Sequence, residues 1–83
     1  MRMACRFLLI QRDDCHLCDL ALAVLAEARV PEFESVFIDD EPALEARYGV
    51  RVPVFRDVPG DRELDWPFTP GEVRAWVAAA PGC

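Results

Sequence analysis

The sequence contains no lysine and a single histidine, and its 9 basic residues, all arginine, face 15 acidic ones over 83 residues. The formal charge is −6 and the isoelectric point is about 4.6. Such a chain lacks the basic face that nucleic-acid phosphates require. It also has little to hold it on an anionic membrane surface. No run approaches the roughly 20 apolar residues that span a bilayer. Met1 to Ile10 carries only a short apolar run before Gln11, Arg12, Asp13 and Asp14, unlike a secretory signal. Internal repeats, low-complexity tracts and linkers are missing as well. The expectation is a single cytoplasmic domain over residues 1–83, monomeric, with neither nucleic acid nor membrane as a partner.

What is present points to a folded domain. Apolar residues make up 53% of the chain, too many for intrinsic disorder. A domain of this size buries only about 60–65% of the surface its unfolded chain exposes, so it folds with little margin. Its 4 cysteines do not read as a secreted disulfide scaffold, because Cys15 and Cys18 are three apart while Cys5 and Cys83 lie near the ends. In the cytoplasm thiols stay reduced unless they do redox work or bind metal.

Hydrophobic periodicity gives the elements. Arg6 to Ile10 is a short apolar run, a buried strand. From Cys15 the period becomes helical, with Leu17, Leu20, Ala21, Val24, Leu25 and Ala28 as its stripe and Pro31 as its stop. Phe33 to Ile38 reads as a second strand. Asp39, Asp40, Glu41 and Pro42 start a short second helix carrying Leu44 and Tyr48, with Gly49 as the C′ residue. Val50 to Arg56 is a third strand. Pro59-Gly60 fits the centre of a type II turn, and Arg62 to Trp66 returns as a fourth strand. Thr69-Pro70-Gly71-Glu72 is a capping box for a last helix with Val73, Trp76, Val77 and Ala80 inward. The order β-α-β-α-β-β-α predicts a parallel first pair with a right-handed crossover and an antiparallel closing hairpin. The expected architecture is a mixed four-stranded α/β sheet with helices on both faces.

The chemistry-bearing signal is Cys15-His16-Leu17-Cys18, where the first strand gives way to the first helix. Residues three apart on a helix lie about 5–6 Å from one another, within reach of a disulfide. The unpaired N–H groups at a helix start favour an anion, so Cys15 is the candidate nucleophilic thiolate and Cys18, one turn in, the resolving thiol. His16 adds positive charge beside Cys15 when protonated, and Asp13 and Asp14 oppose it. Asp14 is also a candidate N-cap. A lone C-x-x-C is half of a zinc site, but structural zinc wants a second pair and the one histidine lies inside the motif. A strand–C-x-x-C–helix at the head of a β-α-β unit is a redox context. Pro53 interrupts an otherwise strong strand. Either the strand begins there or the Val52–Pro53 bond is cis.

With C-x-x-C opening the first helix and Val52-Pro53 opening the third strand, the chain resembles the thioredoxin superfamily. It is most similar to the glutaredoxin-like branch of small bacterial proteins, which combine C-H-L-C with a segment like Tyr48 to Val54. The similarity runs from Phe7 to Val77. It implies a thioredoxin-like fold and a thiol–disulfide oxidoreductase of cell redox homeostasis that works through Cys15 and Cys18. The implied partners are protein disulfides or glutathione, the latter as co-substrate, with no bound cofactor and no metal. It also implies a cis Pro53 facing the cysteine pair, and a Val52 whose backbone meets an extended substrate by strand addition. Arg12, three before the first cysteine, stands where such proteins carry a basic residue for a glutathione carboxylate. Arg51 is a second candidate, since a guanidinium grips a carboxylate bidentately. Trp66 lies where a glycine pair holds glutathione in ordinary dithiol relatives, and His16-Leu17 replace their Pro-Tyr. A second expectation, of another class, is a non-catalytic binding module of the same fold for a protein partner or a metal.

Overall fold

The computed structural model describes residues 6–30 and 32–80. Cys5, Cys83 and the expected helix stop at Pro31 lie outside these residues. The order is β1 (Phe7–Gln11), α1 (His16–Glu27), β2 (Glu34–Phe37), α2 (Pro42–Tyr48), β3 (Val54–Asp57), β4 (Arg62–Asp65) and α3 (Pro70–Ala78). The β-α-β-α-β-β-α order and the mixed sheet are both present. The sheet runs β2-β1-β3-β4. β1 pairs with β2 in parallel, Leu8 opposite Glu34, and with β3 antiparallel, Ile10 opposite Val54. β3 and β4 close the antiparallel hairpin with Val54 opposite Asp65.

Each face of the sheet carries its own core. On one, α1 and α3 bury Ala21, Leu25, Ala28, Val73 and Ala80 against Phe7, Leu9 and Phe55. Phe55 stacks on Phe7 at 5.4 Å between centroids and meets Trp76 at 5.3 Å. On the other, α2 brings Tyr48 and Leu44 onto Ile10, Ile38 and Val54. Alternate residues of a strand face opposite sides, so Leu9 and Ile10 serve different cores. β1 is buried along almost its whole length because both of its faces are covered. β2, at the edge, keeps Glu34, Ser35 and Phe37 exposed.

Three local expectations are corrected. The α1 stripe is narrower than its apolar composition: Cys18, Ala21, Leu25 and Ala28 face the sheet, whereas Leu17 and Leu20 are 45% and 42% exposed. A single sheet face accommodates the row at i, i+3, i+7 and i+10, and the leucines lie outside it. The helix ends at Arg29, before the expected stop at Pro31 is reached. Arg29 is left-handed at φ 58. Its N–H bonds Ala26 O at 3.1 Å and the N–H of Val30 bonds Leu25 O at 3.2 Å. That is a Schellman motif, with Val30 packed on the core as its apolar contact. Gly49 caps α2 in a right-handed conformation, φ −49, not a left-handed one. A Cβ there would stand 2.5 Å from the Glu45 carbonyl oxygen, so glycine serves close approach. The capping box of α3 forms as expected, with Thr69 and Glu72 bonding each other's N–H.

β3 is also shorter than expected, since Val50 to Pro53 lie in the loop that follows α2. The Val52–Pro53 and Trp66–Pro67 bonds are cis. The hairpin turn is closed by Asp61 N–H to Val58 O at 3.2 Å, with Pro59 and Gly60 central as expected. No helix among the described residues is long and apolar enough to cross a membrane.

Candidate active site

Strand pairing puts every candidate residue at one end of the sheet. Arg12 to Cys15 follow the end of β1, and Pro53 precedes Val54, which lies opposite both Ile10 and Asp65. Trp66 follows Asp65. The loop from β1 to α1 is held by two contacts. Asp39 Oδ2 accepts the Asp13 N–H at 2.7 Å. Arg12 donates to Glu45 Oε2 at 3.0 Å and Oε1 at 2.6 Å, and to Gly49 O at 2.9 Å. Asp14 then adopts φ 54, a left-handed conformation that aspartate tolerates better than most residues.

Cys15 is the N-cap of α1, which corrects the assignment of that role to Asp14. Its backbone is extended and its Sγ accepts the Cys18 N–H at 3.1 Å. Sulfur thus fills the place an N-cap oxygen normally takes, against a free helix N–H. The backbone carbonyl of Cys15 accepts the Asp19 N–H, the first intrahelical bond. Cys15 and Cys18 form a disulfide with a Cα–Cα distance of 5.2 Å. Cys15 is partly exposed, whereas Cys18 is 1% exposed. An incoming thiol therefore reaches the first sulfur and not the second. His16 is exposed on the first turn.

The remaining candidates are engaged inside the chain. Arg51 donates to Glu63 Oε1 at 2.7 Å and to Asp65 Oδ1 at 2.8 Å, and its guanidinium lies 5.3 Å from the Tyr48 ring centroid. Both bonds raise its pKa further, Glu63 contributing more. The Val52 N–H donates to Tyr48 O at 3.1 Å. Pro53, in the same loop, has a buried side chain. Trp66 is half-buried and meets Phe68 edge-on at 5.0 Å.

Glu63 is the residue that sequence reasoning missed. Its carboxylate accepts from Tyr48 Oη at 2.6 Å, Arg51 at 2.7 Å, Arg47 at 3.1 Å and Arg56 at 3.2 Å. Burial pushes its pKa up, but the Tyr48 and Arg51 hydrogen bonds and the nearby guanidinium charges outweigh this and hold it at about 2. The pKa of Tyr48 is pushed upward by burial and by its bond to Glu63. The signal was available: once the turn is set at Pro59-Gly60, Arg56 falls opposite Glu63 across the hairpin.

Among the described residues, no group of three or more His, Cys, Asp or Glu could hold a metal ion. A shallow hollow of about 320 Å³ beside the loop is lined by Asp13, Phe37, Asp39 and Asp40.

Comparison with known proteins adds independent information. The family model for the Glutaredoxin-like domain (DUF836) matches residues 6–78. The X-ray structure of the structural-genomics target XcR50 from X. campestris is similar, with 63% identity and a TM-score of 0.85 over 90% of this chain and 99% of that one. A solution structure of XcR50 gives 58% identity and a TM-score of 0.84 with both chains wholly covered. The NMR structure of Ne2328 from Nitrosomonas europaea matches at 29% identity and a TM-score of 0.67, over 92% of this chain and 94% of that one. No curated protein matches.

Proposed function

The chain belongs to the glutaredoxin-like domain family, and from that premise we propose that it is a thiol–disulfide oxidoreductase acting through Cys15 and Cys18. The observation that carries this reading is the N-capping sulfur. Cys15 Sγ faces the Cys18 N–H at 3.1 Å, so the group that loses a proton is stabilised as an anion by a helix start.

In the dithiol state, the Cys15 thiolate attacks one sulfur of a substrate disulfide. A bond forms between Cys15 and that sulfur, the substrate S–S bond breaks, and the leaving thiolate takes up a proton. Cys18, buried one turn along, then attacks Cys15 Sγ. The Cys15–Cys18 disulfide forms and the second substrate thiol departs. Two electrons have passed from the cysteine pair to the substrate. An external thiol restores the pair by the reverse exchange, entering at Cys15 because Cys18 is covered. For this step the family resemblance leaves two thiol sources, a reduced protein partner and glutathione.

Alkylation of the reduced protein as a function of pH tests the proposal, with Cys15→Ser as control. The expected result is a Cys15 pKa clearly below the unperturbed value of about 8.5 and disulfide reductase activity lost in the serine variant. A pKa at or above that value without reductase activity would overturn it and leave a binding module of the same fold.

A further inference from the structure

The site's two arginines are spent internally, whereas the aspartates beside Cys15 have no cationic side-chain partner among the described residues. Arg12 and Arg51 are the two arginines that the sequence offers for an anionic substrate. Arg12 is held by Glu45 and Gly49 O, and Arg51 by Glu63 and Asp65. The Val52 N–H also has an acceptor, Tyr48 O. An incoming carboxylate that takes either arginine must displace a carboxylate already there, an exchange of like for like with little net gain. The acids around Cys15 have few such partners. Asp13, Asp14 and Asp19 are exposed, and exposed Asp40 lines the hollow beside Asp13. Exposed Leu17 adds an apolar contact in the first turn, and Val50 is fully exposed two residues before Val52.

We propose that this site disfavours anionic thiols, glutathione among them, and takes disulfides of basic polypeptides as its preferred substrate class. The inference rests on the oxidoreductase reading of the same pair. The rim of aspartates without a cationic partner among the described residues, on a chain of charge −6, repels a carboxylate-bearing tripeptide and attracts lysine- or arginine-flanked sulfur. The exposed leucine and valine supply contact to a partner larger than a small thiol.

The test compares kcat/KM for three substrates: glutathione disulfide, and two peptide disulfides of one sequence flanked by lysine or by glutamate. At low ionic strength the lysine peptide is expected to lead the glutamate peptide and glutathione disulfide by about tenfold or more. The lead should shrink between 0.01 and 1 M salt, as the Debye length falls from about 30 to about 3 Å. Asp13→Asn combined with Asp40→Asn should narrow the ratio. Glu45→Gln, which leaves the Arg12 charge unmatched, should raise glutathione turnover several-fold, whereas Arg12→Gln should change it less than twofold. A tenfold loss of glutathione turnover in Arg12→Gln, or a glutathione preference that ignores salt, would overturn the substrate assignment while leaving the oxidoreductase intact. Failure to reduce any of the three would overturn the oxidoreductase reading itself. Amide-shift titration with S-methylglutathione and the lysine peptide reads the preference without turnover. Tighter S-methylglutathione binding there also overturns it.

Discussion

At the scale of single residues, the chemistry turns on what each group touches. Gly49 illustrates this. Its hydrogen is the only substituent that fits beside the Glu45 backbone and carboxylate, at 2.5 and 2.8 Å from an added Cβ. Its own carbonyl accepts from Arg12. Gly49→Ala should therefore loosen the Arg12–Glu45 contact and cost about 1–3 kcal/mol, the usual scale for a strained or unsatisfied site. Urea unfolding and the Arg12 side-chain shifts would show it; an unchanged midpoint would mean that the helix end yields freely. This strap was illegible in the sequence. Arg12 was singled out by its distance from Cys15, but Glu45 lies 33 residues away on another element. Local spacing reports the C-x-x-C pair because both partners share one helical turn. It does not report ion pairs that exist only after the sheet has assembled. The same limit hid Asp39, whose carboxylate fixes the Asp13 N–H.

At the scale of elements, helix ends carry the most readable information and one informative error. The α3 capping box sits in four consecutive residues, so it was visible at once. Thr69→Ala should cost about 1 kcal/mol through the lost bond to the Glu72 N–H. The α1 stop was harder to see, because an arginine gives no warning that it will adopt φ 58. Arg29→Gly should stabilise the protein by about 1 kcal/mol, since glycine takes the left-handed conformation without a Cβ penalty. Thermal melting of the two variants should move the midpoint in opposite directions. If Arg29→Gly melts lower, the arginine makes a contact that outweighs its backbone cost. Composition also misled at Leu17 and Leu20. Leucine at helical spacing suggests burial, yet the sheet face is only wide enough for the row through Ala21 and Leu25.

At the scale of the whole molecule, stability in acid should follow Glu63. Its folded pKa, about 2, lies below the ordinary 4.5. A depressed carboxylate contributes stability above its unfolded pKa and loses it as pH falls through the folded one. Unfolding free energy should thus decline between about pH 4.5 and 2, by about 1–2 kcal/mol once solvent screening is discounted. Glu63→Gln should be less stable at neutral pH and nearly flat across that window. A wild-type decline that persists in the variant would assign the acid limb to other carboxylates. The global order of elements was legible because periodicity and turn residues specify each one locally. The antiparallel pairing of β1 with β3 was not, because it joins strands far apart in sequence. The two faces of the sheet are covered unequally, by α1 and α3 on one side and by the 7-residue α2 on the other. Native-state hydrogen exchange should reflect this, with α2 amides opening at lower free energy than those of β1 and α1. Cys15 and Cys18 start α1, on the face shared with α3, and the loop bearing Val52 and Pro53 follows α2. On that expectation, the wall of the candidate site built on the α2 loop opens at lower free energy than the body of the helix that carries the sulfurs.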